Sequence, residues 1–134
     1  MKFMLMMNTP SSKAGPGDYK INDWSPEDFK AHIDFMHRFN AQLEDDGHFV
    51  VAEGLAAPKD ARLVRAGKDG APVTDGPFAE TKEFLAGYWI IDVESAEEAY
   101  RVAARASTAP GPGGKPMHMP IEVRQVMSAP TTDL

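Results

Sequence analysis

Two short segments decide most of what this chain can become, because each is apolar on both of its faces. Residues 2–8, Lys-Phe-Met-Leu-Met-Met-Asn, put Phe3, Leu5 and Met7 on one side of an extended strand and Met4 and Met6 on the other. Residues 87–93, Gly-Tyr-Trp-Ile-Ile-Asp-Val, repeat the pattern, with Tyr88 and Ile90 alternating against Trp89, Ile91 and Val93. A strand that needs cover on both sides belongs in the middle of a sheet. The rest of the chain must therefore supply edge strands and two layers of cover.

Helices account for one layer. Ser25-Pro26-Glu27-Asp28 joins an N-cap serine to a first-turn proline and to acids that favour the positive end of the helix dipole. The helix it starts runs to about residue 46 and Gly47 closes it. At 100° per residue Phe29, Ile33, Met36, Phe39 and Leu43 form its apolar stripe, with Lys30, Asp34, Arg38 and Asp45 opposite. His32 projects near that stripe and His37 lies on its flank, so His32 is the better candidate for a buried or pocket-facing imidazole, as packing residue or as catalyst. A second helix opens on the capping box Ser95-Ala96-Glu97-Glu98 and ends near residue 106. Its apolar positions Ala96, Ala99, Tyr100, Ala103 and Ala104 are mostly small, which suits close packing on a sheet.

Residues 48–53, 61–66 and 121–127 read as further strands. Gly67-Lys68-Asp69-Gly70 turns residues 62–65 back onto residues 72–74 as a short hairpin. Residues 9–23 are a long polar loop and residues 108–120 a second segment rich in proline and glycine. The order predicts an α+β domain of ferredoxin-like architecture, an antiparallel sheet with two helices on one face, spanning residues 1–127 and followed by a tail at 128–134. Helices on one face leave the other uncovered, although both central strands are apolar there. A second copy packing sheet against sheet is the economical cover, which predicts a homodimer through the sheet face.

At 134 residues the chain has enough core for one domain without staples, and it contains no cysteine, which excludes disulfides, thiol nucleophiles and thiolate zinc sites. A formal charge of −6 and the lack of a basic stripe speak against nucleic acid as a partner. The apolar run at residues 1–7 is too short for a signal peptide, and no stretch approaches the roughly 20 apolar residues of a membrane span, so a cytoplasmic protein is expected. No phosphate loop, nucleophile elbow or His/acid cluster with metal spacing occurs, so neither a cofactor nor a metal is expected.

Chemistry concentrates in residues 75–83, Asp-Gly-Pro-Phe-Ala-Glu-Thr-Lys-Glu. Gly76 can take a positive φ and Pro77 steers it away from the helical region, so Phe78 and the charges beyond it leave in a set direction. Burial beside apolar surface raises a carboxylate toward its working pH, and Asp75 and Glu80 flank Phe78 as the candidate acid or base. Lys82 is placed to hold an anionic substrate, with Phe78, Trp24 and Tyr88 as apolar or stacking surfaces. Each has a structural alternative: Asp75 as the cap of its turn, Glu80 and Lys82 as a solvated ladder, Trp24 as a staple on Phe29.

The run from Val73 through Glu83 followed by the strand at residues 87–93 resembles the DGPF-domain branch of the YCII-related family. The likeness extends to the opening Met1-Lys2-Phe3-Met4-Leu5-Met6, to Glu53-Gly54-Leu55, to Ala96-Glu97-Glu98-Ala99 and to the closing Ile121-Glu122-Val123-Arg124-Gln125-Val126. It implies a ferredoxin-like subunit that assembles as a dimeric α+β barrel. It also implies a histidine on the first helix paired with an aspartate near the second, and elimination chemistry on small ring compounds. The segment after the second helix here, residues 106–110, Ala-Ser-Thr-Ala-Pro, carries no acid. The functional expectation is a small-molecule enzyme using acid/base chemistry in a dimeric barrel pocket. The alternative is a non-catalytic ligand-binding or regulatory module in the context of an extracytoplasmic-function sigma factor.

Overall fold

The computed structural model describes residues 1–10, 24–57, 60–76 and 83–127. Four strands form the main sheet in the order β2-β5-β1-β6: β1 (Lys2–Pro10), β2 (Phe49–Gly54), β5 (Glu83–Asp92) and β6 (Ile121–Gln125). Between β2 and β5 the chain inserts a separate two-stranded ribbon, β3 (Leu63–Ala66) paired with β4 (Pro72–Asp75). Helices α1 (Pro26–Asp45) and α2 (Ala96–Ser107) complete a ferredoxin-like α+β domain. All the pairings are antiparallel, and β1 and β5 occupy the centre as their two apolar faces require.

Register fixes what each face presents. Leu5 lies opposite Trp89 on β5 and Val123 on β6, and Phe3 lies opposite Ile91. These residues turn toward the helices and enter one core with Phe39 and Leu43 of α1 and Ala99, Val102, Ala103 and Ala106 of α2. The alternating residues Met4, Met6, Val51, Tyr88 and Ile90 point the other way and are half-buried. Among the described residues no helix lies over them.

Both helix starts form as their sequences dictate. Ser25 Oγ accepts from the Asp28 amide at 3.1 Å and Ser95 Oγ from the Glu98 amide at 3.2 Å. Glu98 closes its box one residue further out than expected, accepting from the Glu94 amide rather than from the amide of the cap itself. Gly47 ends the α1 region with φ of 76°.

Two stripes differ from the expected ones. On α1 the line of deepest burial runs through His32, Phe39 and Leu43, which places Phe29 about 60° round the helix from it, in the first turn. Phe29 is accordingly 44% exposed. On α2 the buried line is Ala99, Val102, Ala103 and Ala106, while Tyr100 and Ala104 face outward. An indole clamp fixes α1 on the sheet: Trp89 Nε1 donates to Asn40 Oδ1 at 2.8 Å, and the Trp89 ring meets Phe39 edge to face at 5.4 Å. No described helix is long and apolar enough to cross a membrane.

Candidate functional site

The deepest titratable side chain among the described residues is His32, 7% exposed in the second turn of α1. Its Nδ1 lies 3.0 Å from the carbonyl oxygen of Pro110, in the connection that follows α2. A carbonyl oxygen only accepts, so Nδ1 carries the hydrogen and donates, and the neutral ring is left with its lone pair on Nε2. Nε2 has no hydrogen-bond partner among the described residues. Trp24 stands edge-on to the ring at 5.3 Å and 81°, which holds the imidazole plane from the side.

The acceptor is held as firmly as the donor. Residues 108–119 close on themselves: the Met117 amide donates to Ala109 O at 2.9 Å, the Gly111 amide to Lys115 O at 2.7 Å, and Pro110 bridges Pro116. Ser107 Oγ donates to Met119 O at 2.7 Å, tying the end of α2 to the same loop. Gly111 is needed for this closure, since a Cβ there would sit 2.8 Å from Met117 Cγ. A second tether, from the Gly113 amide to Asp28 Oδ2 at 3.2 Å, runs from the loop to the first turn of α1. His32 is thus oriented by a rigid loop pinned to its own helix at two points. This is the segment that carries no acid. A backbone carbonyl fixes the tautomer there without the full negative charge a carboxylate would bring.

Among the described residues, His37, Tyr88 and Asp75 do not gather round His32. His37 is exposed. Tyr88 lies on the sheet face away from α1, half-buried in a cross-strand row with Glu53 and Met6. Asp75 ends β4 opposite Leu63 and is exposed, so the described residues of one protomer do not give it an apolar setting. Gly76 after it has φ of 139°, and a Cβ there would meet Ala61 O at 3.0 Å, while the turn expected beyond it lies outside the described residues. Phe78, Glu80 and Lys82 lie outside the described residues. Among the described candidates Trp24 alone stands against His32.

Sequence reasoning missed a second histidine pair. His48 Nε2 lies 2.8 Å from Glu98 Oε1, with both side chains about three-quarters buried, and His48 Nδ1 is buried with no hydrogen-bond partner among the described residues. The pair borders a cavity of about 500 Å³ lined also by Arg101, Val102, Ala104 and Arg105. Nothing local signals it, because His48 opens a strand and Glu98 is fully accounted for as a capping residue. Among the described residues there is no group of three or more His, Asp or Glu side chains suited to a metal ion.

An antiparallel sheet with two helices on one face, and a histidine oriented between the first helix and the loop after the second, define a small ferredoxin-like α+β protein. More particularly, the chain belongs to the YCII-related domain family, whose model matches residues 1–112. It is also similar to an uncharacterised protein of Rhizobium meliloti (strain 1021), 31% identical over 86 residues that make up 64% of this chain and 69% of that protein.

Proposed function

We propose that this protein is a small-molecule enzyme in which Nε2 of His32 takes and returns a proton. The observation that carries the reading is the 3.0 Å contact between His32 Nδ1 and the Pro110 carbonyl, which leaves the Nε2 lone pair as the basic atom of a buried ring. Burial of the ring and the edge of Trp24 favour a flat, largely apolar substrate with one acidic C–H or O–H, such as a small ring compound undergoing elimination. Because the Pro110 carbonyl carries no full charge, the imidazolium formed on proton transfer is stabilised by the substrate's own developing anion. That favours a proton passed to a leaving group within the same complex. Asp75, Glu80 and Lys82 belong to the reading as the polar groups of the signature stretch, with Phe78 as its apolar surface. The protein works as a homodimer through the sheet face that bears Met4, Met6, Val51, Tyr88 and Ile90.

The test is a thermal-shift screen with phenolic acids, keto acids and halogenated aromatics, followed by turnover of the binders. His32→Asn keeps an amide N–H at the place of Nδ1, facing the Pro110 carbonyl, and removes the base. It is expected to retain the fold and the ligand-induced shift while losing about 100-fold or more of turnover. Undiminished turnover in that variant would refute the assignment. A screen without binders would favour the regulatory module over the enzyme.

A further inference from the structure

Among the described residues nothing covers the β3–β4 ribbon. All of its eight strand residues are exposed, and they include Leu63 at 58%, Val64 at 62% and Val73 at 43%. Pairing of Leu63 with Asp75 and of Arg65 with Val73 puts Leu63, Arg65, Val73 and Asp75 together on one face, with Asp75 at the base of the ribbon and Arg65 nearer its tip. Two-stranded ribbons are marginal alone, and exposed aliphatic side chains weaken their solubility further. Yet this one is well formed. Its tip is closed by the Gly67 amide to Ala71 O at 2.7 Å, the Gly70 amide to Gly67 O at 3.0 Å, and the Ala71 amide to Asp69 Oδ1 at 3.0 Å. Its base is pinched where Gly76 passes Ala61. The ribbon is a preformed projection with an apolar face and nothing of the main sheet paired to it.

The charges indicate what it meets. Arg65 and Lys68 on the ribbon have no ion-pair partner among the described residues. On the main sheet, the half-buried apolar face away from the helices carries a row that runs Glu53, Tyr88, Met6, Glu122 across β2, β5, β1 and β6. Its apolar centre is bounded on both edges by an exposed carboxylate. The tip half of the ribbon face, where Arg65 stands opposite Val73, complements an aliphatic sheet face rimmed by acids, while Asp75 stays at the base two residues away along β4, and one protomer offers both surfaces.

We propose that the β3–β4 ribbon is an intermolecular arm, which lays its Leu63, Arg65 and Val73 side along an acid-bearing edge of the sheet face of a second copy of this chain, beside Glu53 or Glu122 and outside the apolar centre that the two sheets cover. The proposal rests on the sheet-face dimer above and adds to it the element that clasps the partner. Exchanged reciprocally about the two-fold axis of the sheet-face dimer, the two arm contacts close and do not propagate.

Sedimentation equilibrium of the full chain over a range of concentrations tests it. The wild type is expected to be a dimer, and Leu63→Glu and Arg65→Glu each to raise its dissociation constant at least ten-fold. Both positions are exposed, so the monomer fold is retained, which circular dichroism checks. The reciprocal variants Glu53→Arg and Glu122→Arg address the rim, and one of them combined with Arg65→Glu is expected to restore the wild-type constant. A dimer indifferent to both arm variants would overturn the arm and leave the sheet-face dimer standing. Arm variants that weaken the dimer without rescue by either rim reversal would overturn the docking site. A wild-type monomer would overturn both arm and dimer.

Discussion

Replacing Asn40 by alanine removes the acceptor of the Trp89 indole N–H and leaves that donor with nothing to bond. Trp89 is 3% exposed and its hydrogen bond to Asn40 is 2.8 Å long, so water does not substitute without opening the α1 to sheet contact. The net value of such a bond is about 1 kcal/mol, and stranding a buried donor costs about 1–3 kcal/mol, so a loss of about 2 kcal/mol is expected. For a chain of this size that corresponds to a fall in Tm of roughly 6–10 °C. Urea unfolding of Asn40→Ala, Trp89→Phe and the double variant measures it. Trp89→Phe alone also loses packing against Phe39 and adds a cavity, but the double variant no longer strands a polar group, so a coupling of about 1–2 kcal/mol should appear between the two sites. A single-variant loss under about 0.5 kcal/mol, or zero coupling, would refute the claim that this bond sets the seat of α1. Asn40 lies on the helix that carries His32, so the same seat determines how His32 meets Pro110.

Other consequences follow from single sites. Gly76→Ala must place a side chain at φ of 139° and within 3.0 Å of Ala61 O, so it should destabilise the protein by about 1–3 kcal/mol in chemical denaturation, against little effect for Gly70→Asn, which has open space. Asp34 has its carboxyl held below its usual value, first by the hydrogen bond from Lys30 and then by the charges of Lys30, Arg38 and His37. A lowered native value means that its contribution is present above the unfolded value and is lost as pH falls through the native one. Lys30→Met should therefore raise the Asp34 titration midpoint toward 3.8 in NMR, an effect that shrinks in high salt because the pair is exposed.

The fold was legible where a residue's own chemistry selects its place. Met4 beside Leu5 and Ile90 beside Trp89 demand cover on two sides, and β1 and β5 are central. Ser25 and Ser95 name their helix starts because a hydroxyl there has a specific backbone amide to satisfy. Phe29 and Tyr100 were misplaced because periodicity gives a helix's apolar side but not its rotation on the sheet, which the Asn40 to Trp89 bond and the core decide. The site was half legible. His32 stood out as an imidazole beside an apolar stripe, and its burial fits that position. Its partner is a main-chain carbonyl, which every residue possesses, so no pattern of side chains reveals it. The pairing of His48 with Glu98 was hidden for the opposite reason: Glu98 already had a local role, and one carboxylate serves both partners with its two oxygens.

Which nitrogen of His32 bears the proton decides whether this imidazole can act as the proposed base. Long-range ¹H–¹⁵N correlation NMR of the ¹⁵N-labelled protein at mildly alkaline pH reads this directly for each histidine. The structure predicts the Nδ1–H tautomer for His32, with an unprotonated Nε2, and loss of that signal pattern in His32→Asn. An Nε2–H tautomer would contradict the hydrogen bond to Pro110 and remove the base on which the proposed chemistry depends.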